Sequence, residues 1–122
     1  MLIKPVFVET SWFTKSLKDF FLTDQDYADL QDYLSEQPEE GDVIGGSGGL
    51  RKIRWADKRR GKGKRGGCRV LYLHLPEHAR ILLIEVYGKN EQDNFSAEDL
   101  KEFKKLIQVY KDTLSRKGDK SQ

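Results

Sequence analysis

At 122 residues the chain is expected to form a single domain, residues 1–122, with one buried core. Its single cysteine, Cys68, excludes an internal disulfide. No apolar run approaches the ~20 residues that span a bilayer, and no signal-peptide pattern opens the chain. We therefore expect a cytoplasmic protein with no membrane contact. The net charge of +2 combines +9 between Arg51 and Arg69 with −7 elsewhere, and a compact positive segment of this kind is typical of proteins that bind phosphates.

The chain opens with one predicted strand and one predicted helix. Ile3–Val8 is rich in β-prone residues, but Pro5 cannot donate to a strand ladder, so the strand is expected to lie at a sheet edge or to begin after Pro5. Thr10 or Ser11 is expected to cap a helix over 11–21, where apolar residues recur at helical spacing.

A second helix is predicted over 24–36, with Pro38 just beyond its end. Nine acids and no base lie between Asp19 and Asp42. We interpret this run as a solvated helix face, and the alternative is a surface that discourages the wrong face of the protein from contacting RNA.

The middle of the chain predicts three antiparallel strands. Two β-prone segments, 50–56 and 68–75, flank a connector rich in glycine and cations. The second segment continues through a turn at Pro76–His78 into Arg80–Tyr87, which is nearly all apolar and is therefore expected to be a central strand buried on both faces.

The end of the chain predicts one helix. Ser96 and Asp99 form an S-x-x-D capping pattern, and apolar residues then follow one stripe over 97–114. The polar tail, 116–122, is expected to fray. The predicted order is β-α-α-β-β-β-α, an α+β fold in which two N-terminal helices pack on an antiparallel sheet that also carries a C-terminal helix.

Three cations of the basic segment are expected to share one sheet surface. Because side chains alternate along a strand, Lys52 and Arg54 project from one face, and Arg69 lies on the neighbouring strand. Such a cluster suits one phosphate and its neighbours, since arginine offers a planar fork and lysine a compact charge. The alternative is that these cations only keep the sheet soluble and protect its edges.

The remaining cations of the segment are expected to attract a nucleic-acid backbone without precise positioning. They are Arg51, Lys58, Arg59, Arg60, Lys62, Lys64 and Arg65. Contacts of this kind give affinity and rapid encounter but little sequence preference, and they weaken strongly with salt.

The sequence lacks the residue patterns of metal sites, nucleotide-binding loops and serine-hydrolase triads. His74 and His78 are the only histidines, both near the predicted turn, and with a lone cysteine they do not form a zinc ligand set. No P-loop, dinucleotide-binding glycine motif or Ser/His/Asp set is visible. We therefore expect no metal and no cofactor.

Three blocks of sequence carry a resemblance to a known family. They are GDVIGGSGGLRKIRWA (41–56), GKGKRGGCRVLYL (61–73) and LLIEVYGKNEQDNFS (82–96). Together they resemble the RelE/HigB superfamily of bacterial toxins, most closely its HigB-type branch, over nearly the full length. The resemblance implies a microbial-ribonuclease-like α+β fold. It also implies a ribosome-dependent endoribonuclease that cuts mRNA in the ribosomal A site and inhibits translation.

The resemblance also implies metal-independent chemistry, in which the ribose 2′-OH attacks the adjacent phosphorus. By motif position, Arg69 is expected to stabilise the charge that develops on the phosphate. Lys52 or Arg54 is expected to orient the phosphate or assist proton transfer, and Lys89 to clamp the RNA backbone or act as an acid. An ordinary loop lysine is the alternative for Lys89.

The sequence departs from better-known RelE members at two places. Asn90 stands where they carry an arginine, and Phe95 where they carry a tyrosine. Phenylalanine has no proton to transfer, so we expect Phe95 either to stack on a base or to act as a hydrophobic staple for the following helix.

The implied partners are a cognate helix-turn-helix antitoxin and the 70S ribosome with its mRNA, with operator DNA contacted only through the antitoxin. The alternative function is a noncatalytic RNA- or ribosome-binding module that uses the same cations. A DNA-binding regulator acting alone is disfavoured, since no helix-turn-helix with a basic recognition helix is visible.

Overall fold

The computed structural model describes residues 4–21, 23–56, 67–88 and 94–120, the last four of these for their backbone only. Its regular elements are five strands and three helices. In chain order they are β1 (Val6–Glu9), α1 (Ser11–Phe20), α2 (Asp24–Glu36), β2 (Asp42–Val43), β3 (Arg51–Trp55), β4 (Cys68–Leu75), a short 3₁₀ turn (Pro76–His78), β5 (Arg80–Gly88) and α3 (Ala97–Lys120). The predicted α+β class is confirmed.

The strands form one sheet in the order β1-β5-β4-β3-β2. β1 begins after Pro5 and lies at an edge, as predicted. It runs parallel to β5, however, so the predicted fully antiparallel sheet is wrong and the sheet is mixed. A hairpin fixes an antiparallel direction only between neighbouring strands, and some seventy residues separate Glu9 from Arg80, so no tight turn constrains this pair.

Both faces of the sheet are covered. One core cluster joins α1 and α2 to the sheet through residues such as Phe13, Leu30 and Leu83. A second cluster, including Leu73, Ile84 and Ile107, joins α3 to the opposite face. Apart from Arg80 and Glu85, every residue of β5 is buried, which confirms the prediction of a strand buried on both sides.

Local hydrogen bonds explain where the helices begin. Thr10 accepts a hydrogen bond from the Phe13 amide, and Thr23 forms a reciprocal capping box with Asp26. The predicted Ser96–Asp99 box is also present, with distances of 3.0 and 3.1 Å. Each such cap satisfies amides that the first helical turn leaves unpaired.

Several predicted bounds shift by one residue, and two features differ more from the prediction. α3 continues to Lys120, so the end predicted at 114 is six residues too early, because the apolar stripe stops there while the backbone hydrogen bonds continue. β2 was not predicted, since its two residues carry no periodic signal. Among the described residues, no helix is long and apolar enough to cross a membrane.

Candidate functional site

The strand register gathers the three predicted cations on one face of the sheet. Arg54 on β3 lies directly opposite Arg69 on β4, and Lys52 lies opposite Leu71. Ile53 and Trp55 project to the other face, where they pack with α1 and α2. Because directly paired residues share a face, Lys52, Arg54 and Arg69 lie on the face that α3 partly covers.

The three cations differ in exposure. Arg54 is exposed, Lys52 is half-buried, and Arg69 is only 2% exposed. An Arg69 Nη1 atom donates a 3.4 Å hydrogen bond to the Cys68 carbonyl oxygen. Arg69 thus lies beneath the surface, while Arg54 is the cation that a ligand in solution meets first.

Two arginines, Arg54 and Arg69, are therefore directly paired across neighbouring strands. Like charges at directly paired positions are unfavourable in a sheet. A buried charge also needs compensating hydrogen bonds, and an arginine stays protonated in proteins. An anion bound over this pair would relieve the repulsion, and a phosphate oxygen matches the planar guanidinium fork.

Aromatic rings adjoin the cation face. Tyr87 on β5 lies opposite Arg69 in register, and Phe95 packs edge-on against it at 6.3 Å between ring centroids. Phe95 also packs edge-on against Phe103 of α3, at 5.4 Å. The half-buried Phe95 ring is therefore part of the aromatic packing under α3, and stacking of its remaining surface on a base stays a prediction.

A concave pocket of ≈ 420 Å³ adjoins the same cations at the edge of the sheet. Lys52 and Arg54 line it together with Tyr33 and with two acids that the sequence analysis did not single out, Glu40 and Asp42. Asp42 lies directly opposite Lys52 in the β2–β3 pair. Opposite charges at directly paired positions attract, so Asp42 stands where its charge favours the Lys52 ammonium at the pocket.

The segment that carries these acids is fixed from below by a buried tyrosine. The Tyr72 hydroxyl accepts a 2.9 Å hydrogen bond from the Gly41 amide and donates one of 2.9 Å to the Pro38 carbonyl. A Cβ atom on Gly41 would lie 2.8 Å from the Tyr72 ring and hydroxyl, so only glycine fits. Burial raises the pKa of Tyr72, against the lowering effects of the Gly41 amide and of the Arg51 charge.

Arg51 lies apart from the cation face. It is paired with Tyr72 and therefore projects to the α1–α2 side of the sheet. Its guanidinium donates hydrogen bonds to the Gly41 carbonyl at 2.8 Å and to the Glu39 carbonyl at 3.1 Å. The structure thus gives Arg51 a role in holding the loop before β2, and its predicted contact with RNA remains untested.

Seven other predicted site residues lie outside the described part of the chain. They are Lys58, Arg59, Arg60, Lys62, Lys64, Arg65 and Lys89. Their roles stay predictions from the sequence. In the described ranges, no three His, Cys, Asp or Glu side chains come together in a way that could hold a metal ion.

One protein-family model matches residues 5–119, and that family is described as the RelE toxin of the RelE/RelB toxin–antitoxin system. The chain is a RelE-family toxin. The match covers the helices, the whole sheet and the cation face together. Membership of the RelE family implies a partner antitoxin. The match is to the family as a whole, so the HigB-type branch stays a prediction.

Proposed function

We propose that this RelE-family toxin is a ribosome-dependent endoribonuclease that cuts mRNA in the ribosomal A site and so stops translation. The observation that supports the proposal most is the direct pairing of Arg54 with Arg69, with Lys52 on the same face. Three cations on two adjacent strands suit a single phosphodiester.

In the proposed reaction the ribose 2′-oxygen forms a bond to phosphorus while the bond from phosphorus to the 5′-oxygen breaks. The products are a 2′,3′-cyclic phosphate and a free 5′-hydroxyl. One proton leaves the 2′-hydroxyl and one reaches the departing 5′-oxygen, so the step needs no metal and no net oxidation. The phosphate gains negative charge in the transition state, and fixed cations beside it lower the barrier.

The three cations have different proposed roles. Arg69, held beneath the surface, supplies a charge whose position is fixed before the substrate arrives, which is the arrangement that stabilises a transition state best. Arg54 is exposed and orients the phosphate. Lys52 assists proton transfer, since a lysine changes its protonation state more readily than an arginine.

Dependence on the ribosome is proposed from the phenylalanine at position 95, where better-known RelE members carry a tyrosine. Position 95 carries a phenyl ring, which neither donates nor accepts a proton. Loss of one general acid or base commonly costs 10²–10⁴ in rate. Groups of the ribosome, and the geometry that it imposes on the mRNA, would make up this deficit.

Primer extension on a reporter mRNA tests the proposal. Purified toxin is added to the mRNA with and without ribosomes, and we expect cuts only when ribosomes are present. Arg54→Ala and Arg69→Ala should each slow cutting by about 100-fold or more, because each removes charge from the scissile phosphate. Arg116→Ala, which removes an exposed arginine near the end of α3, is the matched control and should cut like the wild type.

Arg54 is the more informative position, because its side chain is exposed and its removal leaves the core intact. A thermal melt should show that Arg54→Ala is folded. Unchanged cutting by folded Arg54→Ala and Arg69→Ala would contradict the proposed site, and equal cutting without ribosomes would contradict the proposed dependence.

The burial of Arg69 favours a second candidate function, a noncatalytic RNA- or ribosome-binding module. Such a module needs only cations that a phosphate reaches directly, such as Arg54. It predicts ribosome binding that weakens with salt, together with intact mRNA in every ribosome state.

A further inference from the structure

We propose that a groove between α1 and α3 is the docking site for an amphipathic, basic segment of the antitoxin. The α1–α3 groove is ≈ 460 Å³ and lies between the first turn of α1 and one side of α3, beside β5. Its apolar surface comes from Trp12 on α1 and from Phe103, Leu106 and Val109 on α3. The proposal concerns binding alone and does not depend on nuclease activity.

The groove leaves two large apolar side chains mostly exposed. Trp12 is 53% exposed and Val109 is 62% exposed, and both belong to the four exposed large hydrophobic residues among the described positions. Their convergence on one groove is typical of an interaction surface, whereas single exposed apolar residues are ordinary. Tryptophan is also among the residues that contribute most to protein interfaces.

The spacing along α3 fits a helical partner. Phe103, Leu106 and Val109 recur every three residues, so each lies ~4.5 Å further along the helix axis than the one before. The groove runs from Asp99 to Val109, a span of ~15 Å, which accommodates two to three turns of a partner helix. An amphipathic helix that lies in a groove anchors itself through side chains at just such intervals.

The charge around the groove selects the kind of partner. Glu85, Asp99 and Glu102 line it together with a single cation, Lys105. This acidic excess repels nucleic acid and attracts a basic segment. It contrasts with the +9 segment between Arg51 and Arg69, where phosphate is expected to bind. The occupant is therefore a protein with apolar and basic side chains, and a RelE-family toxin has such a protein partner in its antitoxin.

A β-bulge in the sheet holds the walls of the groove in place before a partner binds. Between β4 and β5, Leu71 pairs with Glu85 and Tyr72 with Leu83, so Ile84 is the extra residue of a β-bulge. The Ile84 carbonyl accepts a 2.6 Å hydrogen bond from the Thr10 hydroxyl, and Thr10 also caps α1. The bulge therefore fixes the start of α1 beside Glu85, and a preformed groove lowers the ordering cost of binding.

Titration calorimetry with the purified cognate antitoxin tests the proposal. Val109→Glu should weaken binding about tenfold or more, because covering a carboxylate with the partner's apolar side chains costs more than its attraction for basic groups contributes. Glu102→Lys should weaken binding by a similar factor at low salt, and by less at high salt, because it removes the charge complementarity. Both positions are exposed on a helix surface, and unchanged thermal midpoints should show that the variants fold.

Two matched variants serve as controls. Val43→Glu makes the same change at a valine that is 55% exposed on β2, at the other end of the sheet. Glu77→Lys makes the same charge reversal at an exposed position of the 3₁₀ turn. Each should leave the dissociation constant within about twofold of the wild-type value.

Three results would overturn the proposal. In the first, folded Val109→Glu and Glu102→Lys both bind the antitoxin within twofold of the wild type. In the second, sedimentation shows that the free toxin self-associates through the groove, and Val109→Glu abolishes this while antitoxin binding is unchanged. In the third, the two variants change ribosome binding and not antitoxin binding, which would assign the groove to the ribosome.

Discussion

Glu9, at the end of β1, ties three elements of the N-terminal half together. One carboxylate oxygen accepts a 2.6 Å hydrogen bond from Thr14 of α1, and the other accepts one of 2.5 Å from the Tyr27 hydroxyl of α2. Burial, and then the hydrogen bond to this carboxylate, raise the pKa of Tyr27 above its ordinary value of about 10. The folded protein therefore favours the neutral phenol.

Alkaline pH should consequently destabilise the fold. Above about pH 10 the unfolded chain releases the Tyr27 proton while the folded protein retains it, so the unfolded state binds fewer protons and the free energy of unfolding falls as pH rises. The contribution is fully present below pH 10 and is lost as pH rises through the raised pKa. Urea unfolding between pH 8 and pH 11 measures this slope.

Tyr27→Phe is the comparison for that experiment. It keeps the ring, which packs against Phe13 and Phe21, and removes only the titrating hydroxyl. Its unfolding free energy should depend less steeply on pH above 10 than that of the wild type. Parallel profiles for the two proteins would show that Tyr27 ionises alike in the folded and unfolded states.

At the scale of elements, the bulge in β5 joins the sheet to α1. Thr10 uses both capacities of its hydroxyl, because it donates to the Ile84 carbonyl and accepts from the Phe13 amide. Its backbone amide also donates to the Leu83 carbonyl at 3.0 Å. One residue thus ends the parallel β1–β5 pairing, caps the helix and satisfies a carbonyl at the bulge.

Thr10→Val should destabilise the protein by about 1–3 kcal/mol, since the nearly isosteric side chain removes the cap and leaves the Ile84 carbonyl without this donor. Chemical denaturation monitored by circular dichroism measures the change. Thr10→Ser keeps the hydroxyl and should recover most of the lost stability. A serine variant as unstable as the valine variant would mean that the methyl group, and not the hydroxyl, matters here.

At the scale of the whole molecule, positive and negative charges are concentrated in different segments, which meet at the pocket where Glu40 and Asp42 adjoin Lys52 and Arg54. The positive segment between Arg51 and Arg69 comes from β3, β4 and their connector, whereas the acidic run from Asp19 to Asp42 follows α2 and the loop after it. The α1–α3 groove is acidic as well. One side of the protein is thereby suited to phosphates and another to a basic partner, which lets RNA and antitoxin bind to different surfaces.

The salt dependence of ribosome binding should accordingly come largely from the cations of the connector between β3 and β4. Changing Lys58, Arg59 and Arg60 together to glutamine should lower the slope of log affinity against log salt by about 2–3, because each phosphate contact contributes about 0.7–0.9. Filter binding of toxin to ribosomes measures the slope. Salt is varied between about 50 and 200 mM, where the affinity of proteins for nucleic acids falls steeply.

A triple variant of equal charge provides the control for that measurement. It changes exposed cations of α1 and α3 to glutamine, namely Lys15, Lys101 and Arg116. Its slope should stay close to that of the wild type, since these cations lie outside the basic segment. Equal decreases in the two variants would mean that net charge, and not the connector, governs the encounter.

Local chemistry explains why much of the fold was predictable. The bounds of α2 and β4, the Ser96–Asp99 cap and the burial of β5 all agree with patterns that span no more than a few turns or one strand. The face shared by Lys52 and Arg54 also follows from strand alternation within five residues. Such features depend on neighbours in sequence, which the chain itself displays.

Features that depend on pairing between strands were decided only by the tertiary structure. The parallel β1–β5 pair joins segments more than seventy residues apart. The two-residue β2 with Asp42 beside Lys52, and the bulge at Ile84, join neighbouring elements, but their register leaves no pattern in the sequence. The burial of Arg69 depends in the same way on packing at the cation face. By itself the sequence determined all the longer elements and most of their bounds, because helices, strands and caps are local. The tertiary structure decided which charges meet and which are covered, because burial and register are properties of the assembled sheet.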